Sequence, residues 1–318
     1  TISRIFLDIS ISRNIGKPIM LLNSQTLDLV FKGFKAVYTD AYMQAPVHHE
    51  KIVMKIPSAS RDETYSWLGE FPQLREWVGA RHIKSLKAHG FTIENLTFES
   101  TVEVKRNDIS DDRIGVFKPM FSEMGQLARR HPEELVFNLL KSGFDTECFD
   151  GQNFFDMDHP MTGESGTETV SVSNMQNGTS PPWFLLDNSR AVRPIILQER
   201  EAYEFEGITD PKDEHVFMKD SYLYGVRARI NAGFGLWQLA FGSKAPLNAA
   251  NYQDARAAMM NFRSDGGRVL GVNPAVLVVP PELEGDALEI LNATHNAAGA
   301  SNVWQKTAEL IVSPYVKM

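Results

Sequence analysis

Leu27, Val30, Phe31, Phe34 and Val37 recur at steps of three and four, the spacing of one face of an amphipathic helix. Asn23 or Ser24 stands where a side-chain oxygen can accept the first free N–H groups, so a short helix is expected to begin there. From Lys51 the period changes. IVMKIPSAS alternates as a strand does, and FTIENLTFESTVEVKR sets Phe98, Val102 and Val104 two or four apart. Between these β segments lies a long two-armed excursion with Trp67, Phe71, Pro72 and Trp77 near its tip. No local core is evident around those four residues, which points to exposed aromatic surface meant for a protein contact. The competing reading buries the tryptophans within their own domain.

Ile114, Phe117, Phe121, Met124 and Ala128 line one helical face, with Asp111 and Asp112 at the positive end of its dipole. Pro119 is expected to kink this helix or delay its start, Pro132 to open a second one, and Gly143 to stop it. The spacing therefore predicts a long bent helical spine over 112–142. The stretch MTGESGTETVSVSNMQNGTSPP is polar and glycine-rich and predicts a surface loop. Beyond it, FLLDNSRAVRPIILQERE and HVFMKDSYLYGVRARINAGFGLWQLAFG predict several strands. Within the latter, Gly233 and Gly235 suggest a bulge or a close backbone approach. A helix with Tyr252, Ala255, Met259 and Phe262 on one face follows, then strand AVLVV, a proline-led helix and a last strand TAELIVSPYV. Strands and helices mix without regular βαβ alternation, so the class is α+β.

Composition narrows the function classes. The 318 residues are 43% hydrophobic and 23% charged, which suits one large or two medium globular domains. Forty acidic against 32 basic side chains give a formal charge of −8, and no basic cluster offsets it. Tight phosphate-neutralising contact with nucleic acid is not expected. The single cysteine, Cys148, excludes an internal disulfide framework and any multi-cysteine zinc site; a small buried hydrophobe is its expected role. No apolar run nears the ~20 residues of a membrane-spanning helix. Sequons at Asn95, Asn177 and Asn292 lack an export signal beside them.

The sequence holds no nucleophile elbow, no phosphate-binding loop and no dinucleotide fingerprint. His48 and His49 are adjacent and point to different sides of an extended chain. Asp156, Asp158 and His159 in FDMDHP form the best metal candidate, but no second ligand cluster accompanies them. The simpler expectation is that these aspartates accept backbone N–H groups before the proline turn. No catalytic residue, metal or cofactor is assigned.

Several long strings then carry a resemblance. TYSWLGEFPQLREWVGAR at 64–81, FTIENLTFESTVEVKRNDISDDRIG at 91–115 and HPEELVFNLLKSGF at 131–144 stand in order. FDGQNFFDMDHP at 149–160, PWFLLDNSRAVRPIILQERE at 182–201, DEHVFMKDSYLYG at 213–225 and TAELIVSPYV continue them. Together they resemble the Mu-like prophage major head subunit family, collinearly from about residue 20 to the last strand. The resemblance implies a phage major capsid protein of the Hong Kong 97-type fold, forming pentamers and hexamers of an icosahedral shell around double-stranded DNA. It divides the chain into an N-terminal arm over 1–50, an extended E-loop hairpin over 51–100, a P domain with the spine over 101–150 and an A domain over 151–318. Some strands of the A-domain segment return to the P domain.

Residues 1–19 have no counterpart that the resemblance places. It also implies scaffold, portal and decoration partners, loosely held DNA, no membrane, and assembly in the host cytoplasm into the virion capsid. Some shells of this fold are welded through an E-loop lysine, but 56–83 contains no lysine, so a non-covalent shell is expected. The rival readings are another virion protein, such as a decoration or tail subunit, and a metal-assisted hydrolase using Asp156, Asp158 and His159.

Overall fold

A computed structural model of the chain describes residues 23–68, 90–163, 168–265, 267–295 and 299–317. In chain order these form α1 (Ser24–Gln44), β1 (Val53–Pro57), β2 (Asp62–Tyr65), β3 (Phe91–Glu94), β4 (Leu96–Lys105), α2 (Arg106–Ser110) and α3 (Lys118–Ser142). There follow β5 (His159–Thr162), β6 (Thr169–Val172), β7 (Met175–Gln176), β8 (Trp183–Leu186), β9 (Ile195–Ile208) and α4 (Glu214–Lys219). The chain continues through β10 (Ser221–Phe234), β11 (Ala240–Ser243), α5 (Ala249–Met260), β12 (Val276–Val279), α6 (Glu284–Leu291) and β13 (Glu309–Val312). The class is mixed α and β, as the segment pattern predicts.

Two compact units divide the chain. The first takes the segment up to Pro46, Leu96–His131 and Glu201–Arg229; the second takes Val47–Asn95, Pro132–Arg200 and the chain from Ile230. Each unit is thus assembled from separated stretches, not from consecutive blocks, because α3, β9 and β10 each contribute residues to both.

In the first unit α1 begins where its cap residue predicts: Asn23 Oδ1 accepts the Thr26 N–H at 2.8 Å. The helix is longer than the five apolar positions suggested. It buries Leu27, Val30, Phe34 and Tyr38 against Phe121, Met124 and Ala128 of α3 and against Phe205 and Tyr224. Phe34 stacks on Phe121 at 4.2 Å, and Tyr224 meets Phe121 edge-on at 5.7 Å. Burying each such side chain contributes roughly 1.5–3 kcal/mol, which is why the helix stays on its own unit. Val104 and Val102 of β4 add to this core, as their alternation predicts.

Two elements differ from the pattern that the sequence predicts. Pro132 does not open a second helix. It lies inside the continuous α3, where the one missing N–H and the clash it brings are outweighed by buried residues on both sides. Pro119, second in α3, sits where a missing N–H is harmless, and Gly143 follows the last helical residue as expected. Likewise HVFMK is not a strand but α4. Asp213 accepts the His215 N–H at 2.9 Å, and Asp220 takes a left-handed φ of 51° that ends the helix. Two local caps override the β preference of Val216 and Phe217.

The core of the second unit is a five-stranded sheet in the order β13–β12–β8–β11–β7. WFLL of β8, AFGS of β11 and VLVV of β12 are buried at every position, the pattern of strands covered on both faces. Helix α5 buries Tyr252, Ala255 and Met259 and packs on β11, while α6 packs on β12 and β13. The polar stretch expected to be a loop instead holds the β5–β6 hairpin and the edge strand β7. Threonine and valine at alternate places there support pairing despite the polarity. Strand β1 runs parallel to the start of β9, Val53 opposite Ile195.

Glu133 is buried in the second unit beside His48 and His49, accepting the His48 N–H, with the His49 Nδ1 4.0 Å away. Burial raises its carboxyl pKa, but the two histidine contacts outweigh that and hold it below the ordinary glutamate value. A depressed folded value stabilises the fold above about pH 4.3, the unfolded value, and that contribution disappears as pH falls through the folded value. Glu133→Gln is therefore expected to lower the melting temperature near about pH 7, with the gap to wild type closing below about pH 4. Parallel thermal melts across that range check it; a gap that widens on acidification would contradict it.

Candidate assembly surfaces and a buried polar cluster

The excursion begins as the β2–β3 hairpin, paired antiparallel from Asp62 opposite Glu94 to Tyr65 opposite Phe91. A two-stranded ribbon is marginal alone, so its root needs anchoring. Gln198 of β9, wholly buried, supplies the anchor. Its Oε1 accepts the Tyr65 hydroxyl at 2.7 Å and its Nε2 donates to the Ile93 carbonyl at 3.0 Å, one residue bridging both arms. Burial, and then the charge of Glu63, push the Tyr65 phenol up to about 12, so it stays a donor. Asn231 donates to the Glu94 carbonyl at 2.7 Å. Asn95 donates to Ser58 Oγ and the Ser60 carbonyl at 2.8 and 2.9 Å. Gly233 leaves room for the Ile93 side chain, the close approach that its place in a strand suggested.

Of the four expected tip residues, Trp67 is partly exposed in the turn after β2, its ring edge-on to Tyr65 at 6.3 Å. Phe71, Pro72 and Trp77 lie outside the described residues, as does the 1–19 leader. The sequence reading missed Gln198, Asn95 and Asn231. Gln198 had a signal, an uncharged polar residue closing the apolar run IIL in a strand; Asn95 was visible only as a sequon, and its burial removes it as a glycan acceptor.

The first unit also exposes apolar side chains. Phe217 and Met218 on α4 are 79% and 70% exposed, and Val116, Met120 and Leu127 stand out in and just before α3. On α1 the buried face faces its own unit, while Leu29 and Met43 remain exposed. Of the opening segment, the described part thus packs largely within its own unit, and the residues before Asn23 lie outside the described ones.

The metal candidate is rearranged. Asp156 accepts the Met157 and Asn153 N–H groups at 2.6 and 3.3 Å, the capping role expected before a proline turn. Asp158 is exposed, and hydrogen bonding to Asp156 raises its carboxyl pKa. The ring nitrogens of His159 bond neither. Nδ1 lies 2.8 Å from Asp150 Oδ2 and Nε2 lies 3.2 Å from Asn174 Oδ1. Cys148 is 6% exposed, as its small apolar character predicts, and its Sγ donates to Asp150 Oδ1 at 3.1 Å. Burial, and then the Asp150 charge, push that thiol pKa far up. A thiol held protonated in this way is a poor nucleophile. No described helix is long and apolar enough to cross a membrane.

Comparison with known proteins gives a consistent result. The family model "Mu-like prophage major head subunit gpT" matches residues 27–316. The chain is 40% identical to the major capsid protein of Escherichia phage Mu over 306 residues, 93% of this chain and all of that one. It superposes on a subunit of the bacteriophage JBD30 procapsid with a TM-score of 0.83 and 42% identity, covering 92% of this chain and all of that one. A subunit of the JBD30 capsid decorated with minor capsid protein trimers gives 0.69 at 33% identity, covering 86% and 91%.

Proposed function

The chain belongs to the Mu-like prophage major head subunit family and is a major capsid protein of a tailed phage, and from that premise we propose how its surfaces build the shell. Copies form pentamers and hexamers of a closed icosahedral lattice of the Hong Kong 97 type, assembled in the host cytoplasm around scaffold and portal and later filled with double-stranded DNA. The opening segment over 1–50 acts as the N-terminal arm, the β2–β3 hairpin as the base of the E-loop, α3 as the P-domain spine, and the five-stranded sheet as the A-domain core. The chain works by association and carries no catalysis. The observation that supports this reading best is the hairpin root: buried polar bonds fix both arms to β9, while Trp67, its ring edge-on to Tyr65, stays partly exposed after β2. A rigidly rooted ribbon with an aromatic end suits reaching over a neighbour.

Each contact recurs across many identical subunits, so modest interfaces sum to a stable shell without cross-links. Lysine is absent over 56–83, but Lys84 and Lys87 follow before β3, so the non-covalent lattice rests on the summed interfaces. A ladder of covalent multimers on a denaturing gel of mature heads would refute it. The net charge of −8 suits a container that encloses DNA without gripping it. The exposed Phe217 and Met218 are surfaces for a neighbouring copy or for decoration proteins of the kind seen on the JBD30 capsid.

Trp67→Ala and Phe217→Asp are expected to melt within a few degrees of wild type, since neither side chain belongs to a core, yet to cut the yield of closed shells about tenfold or more. Electron microscopy of particles, set beside thermal melts of the free subunits, tests this. Subunits that do not fold would refute the assignment of both residues to interfaces. Full shell yield in both variants would refute their part in assembly.

A further inference from the structure

Cys148, Asp150 and His159 place a thiol, a carboxylate and an imidazole with their donor atoms within 4.8 Å of one another in the second unit. The first two sit on a tight turn closed by the Cys148 N–H on the Gln152 carbonyl at 2.7 Å, with Gly151 in the left-handed region at φ 85°. His159 opens β5 and is fully buried, its ring stacked on Trp237 at 4.0 Å. The three therefore have fixed positions before any ligand arrives.

The hydrogen bonds around His159 bear on which nitrogen carries its proton. Asn174 donates through Nδ2 to the Phe154 carbonyl at 2.8 Å and to the Trp237 and Ala240 carbonyls at 3.4 Å. Its Oδ1 accepts the Asp156 N–H at 2.9 Å. That oxygen, and not the amide nitrogen, faces His159 Nε2, an arrangement that a hydrogen on Nε2 would satisfy. In a neutral imidazole Nδ1 is then a bare lone pair, and it points at a carboxylate oxygen 2.8 Å away. Two acceptors do not hold that distance. A proton lies between them, on the ring or on the carboxyl, unless a metal ion takes both donors in its place.

Two further features favour the metal. A cavity of about 40 Å³ opens beside the cluster, lined by Asp150, Trp237, Gln238 and Asp265 among others, with room for a water molecule or two. Gln238 is buried, and its Oε1 has no hydrogen-bond partner. An orphaned acceptor on the wall of a water-sized cavity is what a metal-bound water would satisfy. The Asn174–His159 contact is also the outer bond that typically fixes the tautomer of a metal-binding histidine.

We propose that Cys148, Asp150 and His159 are the three protein ligands of a single divalent ion of the zinc class, with water from the Gln238 cavity in the fourth position. One sulfur, one nitrogen and one oxygen donor suit zinc or cobalt and are poor for magnesium or calcium. Binding displaces the thiol proton and ties the 148–151 turn to β5 as a structural staple.

Because the chain has one cysteine, a cobalt–thiolate charge-transfer band in the near ultraviolet reports this site alone. Purified wild-type subunit is loaded with Zn²⁺, desalted and analysed for metal, and separately titrated with Co²⁺. About one retained zinc per chain is expected, with a thiolate band that saturates near about one cobalt and is abolished by added zinc. Natively folded protein that retains no metal and shows no band would overturn the proposal, leaving His159 as a hydrogen-bonded partner of Asp150. Retained metal without the band would overturn it equally, since the ion would lie elsewhere.

Discussion

Gln198→Ala is expected to yield subunits that fold but do not close into shells. The substitution strips the acceptor from the Tyr65 hydroxyl and the donor from the Ile93 carbonyl, both in buried surroundings. Each unsatisfied group costs about 1–3 kcal/mol, more than an isolated two-stranded ribbon can recover by its own pairing. What remains to hold the root is Asn231 on Glu94, Asn95 on Ser58 and Ser60, and the exposed Arg61–Glu94 pair, worth little in water. The five-stranded sheet is formed by other strands, so the global melt should fall by only a few degrees. Hydrogen exchange at Asp62–Tyr65 and Phe91–Glu94 should rise well before the sheet exchanges, and particle yield should collapse. Tyr65→Phe, which orphans only the Gln198 oxygen, should produce a milder version of both effects. Normal shells from Gln198→Ala would detach the hairpin root from assembly.

Local periodicity carried most of the fold. The cap at Asn23, the alternation of β4, the apolar runs of β8 and β12 and the faces of α1 and α5 were readable because each follows from one segment's own geometry. Pro132 and α4 were misread for the same reason. A proline inside a helix is tolerated only when burial outside the segment compensates, and α4 depends on two aspartates that no apolar pattern contains. Interleaving of the units left no mark in the segment pattern, since the long strands β9 and β10 change unit without a break in it; only the family resemblance carried the expectation that some strands return. The candidate sites show the same divide. His159 was found as a histidine near carboxylates but matched to its sequence neighbours. Its partners stand 9 and 15 positions away, on a turn and beside a short strand whose pairing the sequence did not reveal. Gln198 joins residues 133 and 105 positions away, a relation no window of sequence contains.

Gly125→Ala should be the more damaging change to the subunit itself. A methyl group at this position of α3 would meet the Tyr38 carbonyl oxygen directly and approach the Ala41 Cβ and the Tyr42 nitrogen at 3.1 Å. Two of these are backbone atoms of α1, which cannot rotate out of the way as a side-chain end can, so relief requires the helices to separate. Separation loosens the Phe34–Phe121 stack and the Tyr38–Phe205 contact, at 4.2 and 5.2 Å, on which the first unit's core depends. Overpacking of this kind costs about 1–3 kcal/mol, and more when aromatic contacts open with it. Alanine's better helix propensity returns about 1 kcal/mol at most. The net sign is destabilising, and Gly125→Leu should prevent soluble accumulation altogether. Gly285 in the exposed first turn of α6 supplies the control, since nothing lies within 4 Å of a Cβ there. Gly285→Ala should therefore gain up to about 1 kcal/mol from propensity alone. Denaturant melts of the free subunits measure both. If the two alanine variants shifted stability in the same direction, close contact between the α1 and α3 backbones would not be what selects glycine at 125.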